Sequence, residues 1–236
     1  MILSFEDERD AIAAHEAGHA VVAAVTKQRF EYVSLRPRRA DAAGHVVFRT
    51  HNHLRGHWEA HTVISFAGII AEEIHRVDRQ VGVHAYGSPE HEALRRTLVR
   101  VHGRQDMHNA RNLTRWAWSA HHYPLNNTWT APGIEDGWSP ADLAVRAWQR
   151  SVRIVVEYID AIDEVAAELT DSSRALTWPH VSKIVAEVGP TEHDEEIPAE
   201  FLHPWFLDHT RLTWPPSQAW VARMELAAAR NSGDEP

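Results

Sequence analysis

Residues 11–24 read Ala-Ile-Ala-Ala-His-Glu-Ala-Gly-His-Ala-Val-Val-Ala-Ala, small and apolar residues around two histidines and one glutamate. Ala11, Ile12, His15, His19 and Val22 recur at helical spacing, and Ser4 with Asp7 three residues on offers a cap, so a helix ending near Ala24 is predicted. Ala13, Ala14, Ala17, Gly18 and Ala20 carry so little bulk that other elements, and a substrate, can approach this helix closely.

The middle of the stretch, His15-Glu16-Ala17-Gly18-His19, is an H-E-x-x-H sequence. Residues at i and i+4 share a helix face, so both imidazoles can meet one ion. Glu16 stands about 100° round the helix from His15, where its carboxylate reaches a water beside the ion rather than the ion itself. Zinc acidifies such a water towards neutral pH, and the glutamate can take its proton as a carbonyl is attacked. With 18 His in the chain, the pattern arises by chance about one time in ten, so its place on a small-residue helix is what singles it out. The plainer reading is a pair of solvated or core histidines beside a surface glutamate. The chain has no Cys, which removes disulfides, thiolate metal sites and a Cys nucleophile together, so any metal must be held by His, Asp and Glu.

Elsewhere the pattern is mostly helical. Residues 30–36 and 45–49 are rich in Val, Phe and Tyr and read as two short strands of a hairpin. Helices are predicted over residues 57–78, 89–101 and 104–121, with Gly103 as the break between the last two. The Pro-, Asn- and Gly-bearing stretch 122–138 reads as a loop, and Ser139-Pro140 starts a long helix reaching about Leu169. Thr177 and Pro179 open a shorter helix ending near Gly189. Residues 190–218 carry an acidic run, scattered Pro, Trp205 and Trp214 with no clean period, and a last helix is expected over about 218–230. The expectation is a mainly helical α+β domain over residues 1–189 with a small sheet, followed by an irregular extension, 190–236, packing on it.

Composition narrows the partners. Lys+Arg 24 against Asp+Glu 33, a net charge of −9, makes a poor surface for a phosphate backbone, so no nucleic acid is expected. The first ten residues are charged, and the longest apolar run, near residues 63–71, is far short of the roughly 20 needed to span a bilayer, so a cytoplasmic protein without a membrane partner is expected. No G-x-S-x-G nucleophile elbow is present. His51, His53, His57 and His61 could hold a second metal but read better as a polar loop running into a helix, and His108, His121 and His122 read the same way. Trp116, Trp118 and Trp148 read as core or anchoring residues.

The segment His-Glu-Ala-Gly-His-Ala-Val-Val, residues 15–22, resembles the zinc-site helix of the FtsH-type metallopeptidases. Further pieces follow in that family's order: Gly44-His45-Val46 resembles its next short strand, Ala67-Gly68-Ile69-Ile70-Ala71-Glu72-Glu73 its G-G-R-x-A-E-E segment, and Asp106-x-x-x-Ala110-x-x-Leu113 the helix start that brings in the third ligand. Residues 144–188 are similar in character to its two closing helices. The resemblance implies a zincin-like fold, a Zn²⁺ ion held by His15, His19 and Asp106, Glu16 as general base, and hydrolysis of a peptide or unfolded protein laid along the strand at residues 44–48.

The chain also departs from the family. Ala67 and Ile69 stand where the family has Gly and Arg, and Asp106 follows Glu73 by 33 residues, farther than the family's spacing. Glu90 or His91 lies at the better distance and is the alternative third ligand. Glu72 or Glu73 is a further option, more naturally as an acceptor that orients His15 or His19. No G-x-x-x-x-G-K-[S/T] phosphate loop is present, so the expected activity is ATP-independent. A small homo-oligomer is compatible with the resemblance. The rival expectations are a binding or regulatory module that keeps the fold without turnover, and a zinc-dependent amidase acting on a non-peptide substrate.

Overall fold

The computed structural model describes residues 5–36, 44–48, 57–77, 88–122, 134, 138–172, 174–191 and 197. Among the described residues seven helices and three short strands follow one another as α1 Phe5–Val25, β1 Phe30–Ser34, β2 His45–Phe48, α2 Trp58–Arg76, α3 Pro89–Val101, α4 Arg104–His122, α5 Pro140–Glu157, α6 Ile159–Ser172, β3 Leu176–Thr177 and α7 Trp178–Val188. The described part is mainly helical with a small antiparallel sheet of order β2-β1-β3, as expected. No described helix is long and apolar enough to cross a membrane.

Small residues decide where α1 lies. Ala11, Ala13, Ala17 and Ala20 are fully buried, and the helix is packed by α2, α5, α6, α7 and the sheet. The crossing with α2 is so close that a Cβ on Gly18 would lie 2.7 Å from the Ala67 carbonyl oxygen and 2.7 Å from Ala71 Cβ. α2 is itself buried along residues 61–73, so α1 and α2 form the centre of the core. α5 closes over α2 through Trp148, whose ring meets Phe66 edge-on at 5.4 Å, and through Ser151, whose hydroxyl donates to the Val63 carbonyl at 2.9 Å. A second, smaller apolar cluster joins Trp58, Ala117, Ile134 and Leu143, with Trp116 and Trp118 against it.

Helix starts follow their local signals. Ser139 forms a capping box with Asp142, and Ser88 accepts the His91 N–H at 3.2 Å ahead of Pro89. The single helix expected from Ser139 to Leu169 is instead two, broken at Tyr158, whose φ of −117° and ψ of 28° leave the helical region. A distant residue meets the break: the Thr191 N–H donates to the Glu157 carbonyl at 2.6 Å, and the Thr191 hydroxyl accepts the Asp160 N–H at 3.4 Å. Strand β3 was not anticipated, because two residues are too short to show a period. It pairs Leu176 with Val33 and Thr177 with Tyr32.

The hairpin of β1 and β2 is present, with Phe30 opposite Phe48 and Ser34 opposite His45 and an irregularity between Phe30 and Tyr32. Ser4, most of the 122–138 loop, and the helix expected over 218–230 lie outside the described residues. Of the 190–236 extension, Thr191 bonds to the α5–α6 junction and Ile197 packs on the main core.

Candidate metal centre

One turn of α1 sets the first two groups. His15 and His19 lie on the same face, with their Nε2 atoms 3.1 Å apart and rings nearly perpendicular at 83°. Asp106, in the first turn of α4, completes the group: its Oδ2 stands 3.1 Å from His15 Nε2 and 3.5 Å from His19 Nε2. Three donor atoms from two helices thus lie within 4.8 Å of one another, and no other such group occurs among the described residues.

The far sides of the rings fix which nitrogens face the centre as lone pairs. His19 Nδ1 lies 2.6 Å from the Ile64 carbonyl oxygen, which can only accept, so Nδ1 carries the proton. His15 Nδ1 lies 3.0 Å from Glu72 Oε2 and likewise donates. In the neutral rings both Nε2 lone pairs therefore point at each other and at a carboxylate. Three acceptors this close repel unless a cation stands among them. Four-coordinate zinc at about 2.0–2.1 Å from each ligand would place its ligands about 3.3 Å apart, and the observed separations of 3.1, 3.1 and 3.5 Å bracket that figure. The donor set fits a small divalent ion.

Charges around the group are arranged to match. Burial acts against a charged His15, yet the Asp106 and Glu72 carboxylates outweigh it and hold its pKa well above the ordinary imidazole value. Burial would raise Asp106 and Glu72, but their histidine neighbours win: His19 and His15 hold Asp106, and His102 and His15 hold Glu72, well below the usual carboxylate range. Glu16 differs. Burial raises its pKa, with His15 and His19 pulling the other way.

Two glycines make room. A Cβ on Gly68 would lie 2.7 Å from His15 Nε2, so α2 can pass beneath the imidazoles because residue 68 has no side chain. A Cβ on Gly44 would lie 2.6 Å from Glu16 Cγ and 2.8 Å from Glu16 Oε1, so β2 can come down onto the glutamate. The group opens into a cleft of about 570 Å³, walled by β2 on one side and by Gln105, Asp106 and Asn109 of α4 on the other, with Glu16 on its lining.

Of the alternative third ligands, neither reaches the centre. Glu90 is exposed on α3, and His91 is buried against Glu73 Oε1 at 2.6 Å, where Arg95 also donates at 2.6 Å. The adjacent pair Glu72 and Glu73 therefore splits, Glu72 facing His15 and Glu73 facing α3. His57 is exposed at the start of α2, and His61 is buried with its ring 5.2 Å from Phe48, apart from any ligand cluster; His51 and His53 lie outside the described residues. Sequence reasoning did not pick out Arg76 and His102, which both bind Glu72, or Glu8, which binds both of them. Arg76 lies four residues past Glu72 and donates Nε to it at 2.8 Å, a spacing that a search for helical ion pairs would have found.

Compared with models of known protein families, the chain matches none, and comparison with curated proteins finds no match.

Proposed function

We propose that the protein is a zinc-dependent metallopeptidase with a zincin-like, FtsH-type site, hydrolysing peptide bonds in short or already unfolded chains without ATP. The observation that carries the reading is the convergence of two Nε2 lone pairs and one carboxylate oxygen within 4.8 Å, each ring's other nitrogen already satisfied. His15, His19 and Asp106 would hold the ion. A bound Zn²⁺ supplies Lewis acidity there, polarising a carbonyl and acidifying water.

The chain's own residues do the rest. Glu16, whose pKa burial raises, lies on the cleft lining, where it would take a proton from the attacking water and pass it to a leaving amine. Glu72 keeps His15 in the tautomer that presents Nε2, and the Ile64 carbonyl does the same for His19. Among the described residues β2 is an edge strand lining the cleft, so its backbone can pair with an extended peptide and lay a scissile carbonyl beside Glu16.

The test is elemental analysis and peptide cleavage on wild type, Glu16→Gln and Asp106→Ala. About one zinc per chain is expected in wild type and Glu16→Gln, and none in Asp106→Ala. Cleavage of an unstructured fluorogenic peptide should fall about 10²–10⁴-fold in Glu16→Gln. Absence of metal after zinc is added back overturns the reading. Zinc without cleavage by the wild type moves it to a binding module.

A further inference from the structure

His15 and His19 share one helix, so a single helical turn sets their spacing. Asp106 comes from α4 and must be held against them by tertiary contacts. The corner between α3 and α4 is residues 102–103, one turn ahead of Asp106. At that corner His102, whose N–H is bound to the Leu98 carbonyl, places both ring nitrogens on carboxylates from other helices. Nδ1 lies 2.5 Å from Glu72 Oε1 on α2, and Nε2 lies 3.1 Å from Glu8 Oε1 on α1. The other oxygen of Glu72 receives His15 Nδ1 at 3.0 Å. A single imidazole thus spans α1, α2 and the approach to α4.

Arg76 does not duplicate this brace. It binds Glu72 at 2.7 Å and Glu8 at 3.1 Å, but it lies on the same helix as Glu72 and reaches α1, not α4.

We propose that His102 is a positioning residue for the metal: by tying the α3–α4 corner to Glu72 and Glu8 it holds Asp106 in register with His15 and His19. The proposal rests on the metal reading above. It also accounts for how a third ligand can lie 33 residues beyond Glu73, with a whole helix between, and still return to the site.

The experiment measures zinc affinity by competition with a chromophoric chelator, and the visible spectrum of the cobalt-substituted protein, on full-length wild type and His102 variants. His102→Ala should weaken zinc binding about 10–100-fold and reduce the intense tetrahedral cobalt bands, while circular dichroism stays that of the wild type. His102→Asn keeps a side-chain N–H where Nδ1 stands and should recover most of the affinity. His102→Gln places its amide where Nε2 stands, towards Glu8, and should not. A purely structural role would lower the unfolding midpoint without changing the cobalt spectrum of the folded protein, and that result overturns the proposal. So does wild-type affinity in His102→Ala. If the alanine variant does not fold, the Asn and Gln variants decide: equal affinities, or the reverse order, count against it. Failure of the wild type to bind either metal removes the metal reading itself, and the proposal with it.

Discussion

Glu72 ties together His15 of α1, Arg76 of α2 and His102 of the α3–α4 corner. It is fully buried, with both of its oxygens bonded. Removing a carboxylate of this kind leaves the buried Arg76 guanidinium to the partly exposed Glu8 and the His15 imidazole without its orienting acceptor. Glu72→Ala should therefore cost about 3–5 kcal/mol of stability in chemical denaturation and weaken zinc binding at least tenfold. Glu72→Gln, which keeps the shape, should lose zinc affinity with less loss of stability.

The same residues set a pH dependence. In chelated protein, His15 has a folded pKa above its unfolded value of about 6.5. The stability it contributes is fully present below about pH 6.5 and is lost as pH rises through the raised value. Asp106 and Glu72, lowered in the folded state, contribute stability present above about pH 4 and lost as pH falls further. The melting temperature of chelated protein should thus decline from pH 6.5 into the alkaline range. Added zinc, which replaces the proton among the lone pairs, should remove that decline. A flat alkaline limb without metal would contradict the arrangement.

Among the elements, α1 and α2 decide the site, because their axes come close enough for one helix to floor the other's histidines. Gly68 is the position that makes this possible. Gly68→Ala drives a methyl group into both imidazoles and should abolish zinc binding. Gly189 provides a control of different kind: its φ is +74° and a Cβ there would meet nothing within 4 Å. Gly189→Ala should cost about 1 kcal/mol in backbone strain and leave metal content unchanged. Equal zinc binding in both variants, read by elemental analysis, would mean that α2 can yield at Gly68.

At the scale of the whole molecule, the site depends on a core laid down mostly by α1, α2 and α5. Trp148 is fully buried against Phe66 on the side of α2 away from the ligands. Trp148→Ala should cost about 3–5 kcal/mol, seen as a lower denaturation midpoint, while the protein that remains folded still binds one zinc. Loss of metal at full folding would place Trp148 in the site's support rather than in the general core.

What could be read along the chain was what local geometry decides. His15 and His19 fall on one face wherever residues 11–24 are helical, and Ser139-Pro140 caps a helix whatever surrounds it. Among the described residues the apolar runs placed α1 to α4, α7 and the hairpin within a few residues. Other features needed the packed molecule. Glu72 and Glu73 differ by 100° on one helix, so only the rotation of α2 against α1 decides which meets His15 and which meets His91. The helix break at Tyr158 is where Thr191, distant in sequence, binds the Glu157 carbonyl. Asp106 joins the histidines through the α3–α4 corner, and His102 has two carboxylates only because three helices meet there. Periodicity and capping act over a few residues of chain, so the sequence by itself determined most of the helices and the paired histidines; contacts between residues far apart are set by how whole helices pack, so the approach of Asp106 to those histidines and the contacts of His102 were decided by the tertiary structure.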